Sequence, residues 1–229
     1  MNDLPSHDPN RCRVIGVLDD GVASLGATAL AHLRTADVVI GGARTLALFR
    51  HALKPGTLTH DLTGQLKAVP GWVRAAREAH QSCVVLATGD PLCHGIAPYL
   101  AQHLCLDALE ILPNLSTLQL ACARVGLAWQ DARIVSVHAA DAGEWQRGAP
   151  PSHGLYALAQ ALRAEQRLLL LTSPANSPDR IARLLLAEGL GSDFHMAVAE
   201  HLLQPDERVH AQLSPAEAAR MRFAEPNVV

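Results

Sequence analysis

Cys83-Val84-Val85-Leu86-Ala87-Thr88-Gly89-Asp90-Pro91-Leu92-Cys93-His94-Gly95 is the stretch that decides the fold. The apolar run Cys83–Ala87 shows no polar alternation, so a strand built from it must be covered on both faces. Gly-Asp-Pro then breaks the run with a turn, and residues 96–104 take up helical spacing. A doubly buried strand that turns into a helix is half of a crossover unit, and crossover units make parallel sheets.

The same alternation extends to both sides of this segment. Upstream, Val14-Ile15-Gly16-Val17 is a short strand ended by Asp19-Asp20-Gly21. Helical spacing runs from Ser24 to Ala36. Asp37–Ile40 is a second strand, closed by Gly41-Gly42. Residues 43–53 and 72–80 read as helices. Downstream, Leu109–Leu112 is a strand and residues 116–125 a helix. A second set of elements then begins. Residues 134–138 restart a strand, 156–164 form a helix and 167–171 another strand. Ser177-Pro178-Asp179 opens a helix with a Ser cap, a proline in the first turn and an acid near the positive end, and Gly189 stops it. Residues 196–203 and 208–213 are strand-like and split by Gln204-Pro205-Asp206-Glu207, which predicts a hairpin. Ser214-Pro215-Ala216-Glu217 has capping-box spacing. The expectation is an α/β protein of two lobes, residues 1–112 and 113–229, with a mostly parallel sheet in the first and a mixed sheet in the second. The final Asn227-Val228-Val229 reads as the opening of a strand, and the expectation is that the natural polypeptide continues.

Composition narrows the function. Of 229 residues, 49% are apolar and 18% charged, enough to bury a core. Three Trp, two Tyr and three Phe are too few for a base-stacking platform. With 19 Lys and Arg against 22 Asp and Glu, no basic surface is implied, so nucleic-acid binding is not expected. No apolar run reaches the roughly 18 residues that span a bilayer. The first eleven residues, with Asp3, Asp8 and two prolines, do not form a secretory signal. Five cysteines without paired spacing point to free thiols and a cytoplasmic setting. Neither His-Glu-x-x-His nor Cys-x-x-Cys is present, so no metal is expected. Gly-x-Ser-x-Gly, a Walker lysine and the dinucleotide fingerprint are also missing, and Leu18 stands where that fingerprint needs its middle glycine.

Ligands of open α/β sheets bind beyond the carboxyl ends of the strands. Four segments fall there. Residues 88–95 combine Gly89 and Gly95, which let backbone approach a ligand, with Asp90 as an acceptor; a plain strand-to-helix turn fits them equally. Leu18–Gly21 is a two-carboxylate loop or an acidic turn. Residues 112–117 offer amides and hydroxyls to a carboxylate or ribose, or only cap a helix. Residues 172–178 reach a ligand or cap the next helix. His94 and His138 each end a strand.

These segments, in this order, resemble the tetrapyrrole methylases. The match rests on Val14–Val17 with Asp19-Asp20-Gly21, Ala36–Gly42, and Gly89-Asp90-Pro91-Leu92 with Gly95-Ile96. Pro113-Asn114-Leu115-Ser116-Thr117-Leu118-Gln119-Leu120-Ala121-Cys122-Ala123-Arg124, followed by Trp129–Ala132 and Val135–His138, is similar to the precorrin-6Y C5,15-methyltransferase branch of cobalamin synthesis, whose single-domain form is the cobalt-precorrin-7 C5-methyltransferase. The resemblance covers residues 13–229. It implies a bilobal fold, S-adenosylmethionine as methyl donor, a precorrin-6Y- or precorrin-7-type corrinoid methylated at carbon 5, and a homodimer. The donor is implied to lie in the cleft between lobes, held by Gly89, Asp90, Pro91 and Gly95, by Ser116 and Thr117, and by Val137, His138 and Ala139, with residues 176–178 nearby. Leu18, Asp19, Asp20 and Gly21 would face the macrocycle, with Leu18 in place of the family's usual glycine. Many members carry a fused domain that methylates carbon 15 and decarboxylates; nothing in this chain resembles it.

A sulfonium donor and an electron-rich ring carbon need positioning rather than a protein nucleophile, which agrees with the missing nucleophile–base pair. Asp19, Asp20 or His138 are candidates for moving the proton released afterwards. Arg44 and Arg124 are either anchors for substrate carboxylates or structural. The rival readings are methylation of another substrate, such as another corrinoid or RNA, and a non-catalytic domain that binds S-adenosylmethionine or a corrinoid for a larger methyltransferase. A nicotinamide dehydrogenase would need the missing glycine fingerprint.

Overall fold

A computed structural model describes residues 10–229; the acidic, proline-bearing start of the chain lies outside the described residues. The chain divides into two compact units, Met1–Ser116 and Thr117–Val229.

The first unit is built on a parallel sheet of β1 (Cys12–Val17), β2 (Val38–Gly41), β3 (Leu58–Asp61), β4 (Cys83–Thr88) and β5 (Leu109–Leu112), in the order β3-β2-β4-β1-β5. The decisive apolar stretch is the central strand, and alternate residues of it enter two different cores. Cys83 and Val85, with Val14 and Ile40, pack under α3 (Val69–Glu78) and α4 (Ala97–Leu104). Val84 and Leu86, with Ile15 and Val39, pack under α1 (Ala27–Thr35) and α2 (Ala43–Phe49) through Leu33 and Phe49. Burial on both faces explains why the run has no polar alternation.

Three elements of the first unit depart from the sequence reading, one of them α3, which begins at Val69 rather than Trp72 with Pro70 in its first turn. Strand β3 has no counterpart in that reading. It pairs along one edge only, with β2, and its residues are mostly exposed, so no apolar run marks it. Helix α1 begins at Ala27 rather than Ser24, because Ser24 ends a 3-10 turn over Gly21–Ser24. Its hydroxyl donates to the Gly21 carbonyl (2.8 Å) and accepts from the Leu18 N–H (3.3 Å).

The second unit holds a mixed sheet of β6 (Arg133–Ser136), β7 (Leu168–Leu171), β8 (Met196–Glu200), β9 (Arg208–Leu213) and β10 (Asn227–Val228), ordered β6-β7-β10-β8-β9. Only β6 and β7 are parallel. The expected hairpin is β8–β9. Its first strand stops at Glu200 because His201 and Leu203 take positive φ. The last residues form β10 inside the sheet, between β7 and β8. The unit also contains α5 (Thr117–Val125), α6 (Tyr156–Ala164), α7 (Pro178–Glu188) and the short α8 (Pro215–Ala218). Leu158, Leu162, Leu170, Ile181, Leu184 and Met196 form its core.

Gly189 ends α7 in the left-handed conformation, and Ser214 with Glu217 makes the expected capping box. Ser177 precedes α7, but its hydroxyl donates to Asp179 (2.6 Å) instead of serving the backbone. All five cysteines are free. Among the described residues no helix is long and apolar enough to cross a membrane.

Candidate active site

The carboxyl ends of β1, β4 and β5 converge in the first unit. Gly16, next to last in β1, has no room for a side chain: a Cβ there would lie 2.4 Å from the Gly89 carbonyl oxygen and 2.7 Å from the Asn114 nitrogen. The Gly89 N–H donates to the Val17 carbonyl at 2.8 Å. Asn114 braces the loops from the other side. Its amide donates to the carbonyls of Gly16 (3.2 Å) and Ser24 (3.0 Å), and its Oδ1 accepts from the Leu115 N–H (2.8 Å). This brace keeps Pro113–Ser116 with the first unit. Sequence alone offers Asn114 as a ligand contact or a cap. Its carbonyl partners lie 98 and 90 residues away, and no local signal announces them.

In the loop after β4, Gly89 has φ +72°, a conformation open to glycine. Asp90 Oδ1 accepts from the Leu92 N–H (2.8 Å), forming an Asx turn; Oδ2 receives no donor among the described residues. Gly95 is expected from sequence to permit close approach of a ligand. The close approach is internal, since a Cβ would meet the Pro91 carbonyl oxygen at 2.4 Å. Burial and the Asp90 charge push the Cys93 thiol up, against a hydrogen bond with Ser116 that pulls it down. Ser116 is buried, and Thr117 opens α5 in the second unit. Leu92 (55% exposed) and Leu115 (49%) leave apolar surface on the loops after β4 and β5.

Leu18 and Gly21 are buried, and Gly21 has φ +70°. Asp20 is exposed. Asp19 is ion-paired to Arg44, in the first turn of α2, with Nη1 to Oδ2 at 3.0 Å. The other expected anchor, Arg124, is paired within the second unit, where its Nε and Nη2 fork onto Glu207 (2.5 and 3.3 Å).

In the second unit the predicted segment 137–139 lies just past β6. The strand ends at Ser136, two residues before the expected His138, because the chain turns toward Asn176. The buried Asn176 amide donates to the carbonyls of Val137 (2.8 Å) and Ala139 (3.3 Å), and Ser173 Oγ donates to Val137 as well (3.2 Å). Asn176 thus acts as a brace, the counterpart of Asn114. His138 is exposed, with Nδ1 3.1 Å from Ser136 Oγ. Among the described residues no three of His, Cys, Asp and Glu gather as a group able to hold a metal ion.

Residues 12–216 match the family model of the tetrapyrrole (corrin/porphyrin) methylases. The chain belongs to that family. This methylase is 30% identical over 197 residues to the cobalt-precorrin-7 C(5)-methyltransferase of Salmonella typhimurium, a match that covers 86% of the chain and 88% of the relative. It is 35% identical over 201 residues to the precorrin-6Y C(5,15)-methyltransferase [decarboxylating] of a Sinorhizobium species, covering 88% of the chain but 44% of that relative. Its fold is also that of the uroporphyrin-III C-methyltransferase of Thermus thermophilus, solved in complex with S-adenosylhomocysteine (TM-score 0.63, 24% identity, 95% and 90% of the two chains covered).

The residues of the methylase fit a sulfonium nucleoside donor. The free Oδ2 of Asp90 offers an acceptor to a hydroxyl or amine, and Leu92 and Leu115 offer apolar surface to a ring.

Proposed function

We propose that this tetrapyrrole methylase transfers a methyl group from S-adenosylmethionine to carbon 5 of a precorrin of the precorrin-6Y or precorrin-7 type, in cobalamin synthesis. One observation carries the reading: the chain spans 88% of a C(5)-methyltransferase but 44% of a relative with both activities. Carbon 15 methylation and decarboxylation are accordingly assigned to the part of the larger relative that this chain does not match.

When bound, the donor supplies a methyl carbon made electrophilic by its sulfonium. The chain's own task is to orient and to exclude water. Gly89–Pro91 and Gly95, Ser116 and Thr117, and Val137–Ala139 are the proposed donor-binding residues, with Asp90 Oδ2 accepting from the donor. The loop Leu18–Gly21 is the proposed macrocycle-facing segment, with Leu18, Asp20 and Gly21 as its direct contacts. Asp19 is committed to Arg44, so a proton released on methylation falls to the Asp20 carboxylate or to His138 Nε2, the ring nitrogen away from Ser136. The proposed assembly is a homodimer, supported by the family resemblance. The proposed compartment is the cytoplasm, supported by five free cysteines.

The test combines calorimetric titration with S-adenosylhomocysteine and incubation with methyl-labelled donor and precorrin. Saturable binding and label at carbon 5 are expected. Binding without transfer would favour a non-catalytic domain, and no binding would overturn the reading. Full turnover in both Asp20→Asn and His138→Ala would remove their proton role, and a monomeric mass by light scattering would remove the dimer.

A further inference from the structure

We propose that Arg44 anchors a carboxylate of the substrate macrocycle, and that Asp19 is a positioning residue that aims it. The proposal rests on the corrinoid reading above, because precorrins carry acetate and propionate side chains. The sheet order is the first support. Strands β2 and β1 flank β4 on opposite sides, so an ion pair from the first turn of α2 to the loop after β1 crosses the end of the strand that leads into Gly89-Asp90-Pro91.

The pair is also lopsided in its exposure. The Asp19 side chain is 18% exposed and that of Arg44 55%. Only Nη1 of Arg44 is engaged, leaving Nε and Nη2 without an acceptor among the described residues. That leaves a pair of donors of the kind that grips a carboxylate in two-point fashion. An exposed ion pair of this sort adds little to folding, so stability gives no strong reason for it.

The base of the arginine is fixed. Thr63 Oγ1 accepts from the Ala43 N–H (3.2 Å), and the Thr63 N–H donates to Asp61 (2.8 Å), which pins the start of α2 to the end of β3.

Charge around the strand ends completes the case. In the four or more residues that follow each strand of this sheet (18–21, 42–45, 62–65, 89–95 and 113–116), Arg44 is the single Lys or Arg, against Asp19, Asp20 and Asp90. Arg44 is thus the one basic side chain that these segments offer a polycarboxylate. Arg44 therefore gives the ring a carboxylate anchor beside α2, a contact made alike in the bound substrate and in the transition state.

Steady-state kinetics of the wild type, Arg44→Ala, Arg44→Lys, Asp19→Asn and the Arg44→Ala/Asp19→Asn double variant test this, with the free-acid corrinoid and its carboxyl methyl ester. Arg44→Ala is expected to raise KM for the acid about tenfold and leave kcat and S-adenosylhomocysteine affinity near wild type. Arg44→Lys should recover part of the loss. Asp19→Asn should raise KM less, and add nothing once Arg44 is gone. The ester should be handled alike by wild type and Arg44→Ala. An unchanged KM in Arg44→Ala, or a tenfold gap that survives esterification, overturns the proposal while the C5-methylation reading stands. A wild type that methylates no corrinoid removes both.

Discussion

Replacing Gly16 by alanine tests the architecture of the strand ends directly. The added Cβ would sit 2.4 Å from the Gly89 oxygen, 2.7 Å from the Asn114 nitrogen and 2.9 Å from Asn114 Cβ. Two of these atoms are backbone and cannot swing aside, so β1 must separate from the loops after β4 and β5. That movement strains the Gly89 N–H···Val17 bond and the Asn114···Gly16 bond. Each is worth about 0.5–1.5 kcal/mol, and overpacking adds about 1–3. The expected loss is roughly 3 kcal/mol in urea unfolding, with weakened S-adenosylhomocysteine binding by calorimetry. Gly71 is the control. It lies inside α3 with nothing within 4 Å of its virtual Cβ, so Gly71→Ala should gain about 0.5–1 kcal/mol from helix propensity. If Gly16→Ala unfolds within about 0.5 kcal/mol of wild type and binds the ligand normally, the convergence of the three strand ends is wrong.

Three further outcomes follow from the second unit and the cysteines. The Glu188 side chain is 1% exposed and accepts from Trp145 Nε1 (2.8 Å) and Arg163 (2.5 Å). Burial pushes its carboxyl up, but these hydrogen bonds outweigh burial and hold it below the usual range. Glu188→Ala should cost about 2–4 kcal/mol, with a shifted Trp fluorescence spectrum; a loss below about 0.5 would show the contact is idle. His201 places Nδ1 2.6 Å from Asp206 and Nε2 2.5 Å from the Glu225 carbonyl, and both acceptors raise its pKa. The stability it contributes is fully present below the unfolded value of about 6.5 and is lost as pH rises through the folded value. His201→Asn, which tolerates the local φ of +49°, should flatten the fall in urea midpoint above about pH 6.5; an unaltered slope would refute the assignment. Cys12 and Cys83 are buried with sulfurs 3.7 Å apart, and the neighbouring thiol and burial both push Cys12 well up. A thiol reagent should find exposed Cys105 first and reach these two only on unfolding. Early modification of Cys12 by mass spectrometry would contradict this.

The doubly buried run 83–87 is legible because every residue in it enters one core or the other. Strand β3 is not, because an exposed edge strand carries its register in backbone bonds that leave no hydropathy trace. The departures at Ser24 and Ser177 share a cause. A serine before a helix signals a cap only if its hydroxyl has no better partner, and here Leu18 with Gly21, and Asp179, take those hydroxyls. Among the site residues, the Gly89-Asp90-Pro91 turn is visible as a strand end. The braces Asn114 and Asn176 depend on partners brought near by topology, so no local pattern names them. Gly95 shows the limit of composition: the glycine stands out in the sequence, but the atom that demands it belongs to Pro91.

The placement of β10 has a consequence for biosynthesis. Asn227 and Val228 fill the middle of the second sheet, and Val229 exchanges both backbone hydrogen bonds with Leu170. On the ribosome, β6 to β9 emerge first and wait with a gap between β7 and β8. Until residues 227–229 arrive, both inner edges are open to chaperones, proteases and sister chains. The second unit therefore closes only once residues 227–229 have been made, and removing them opens the sheet at its centre rather than trimming its rim.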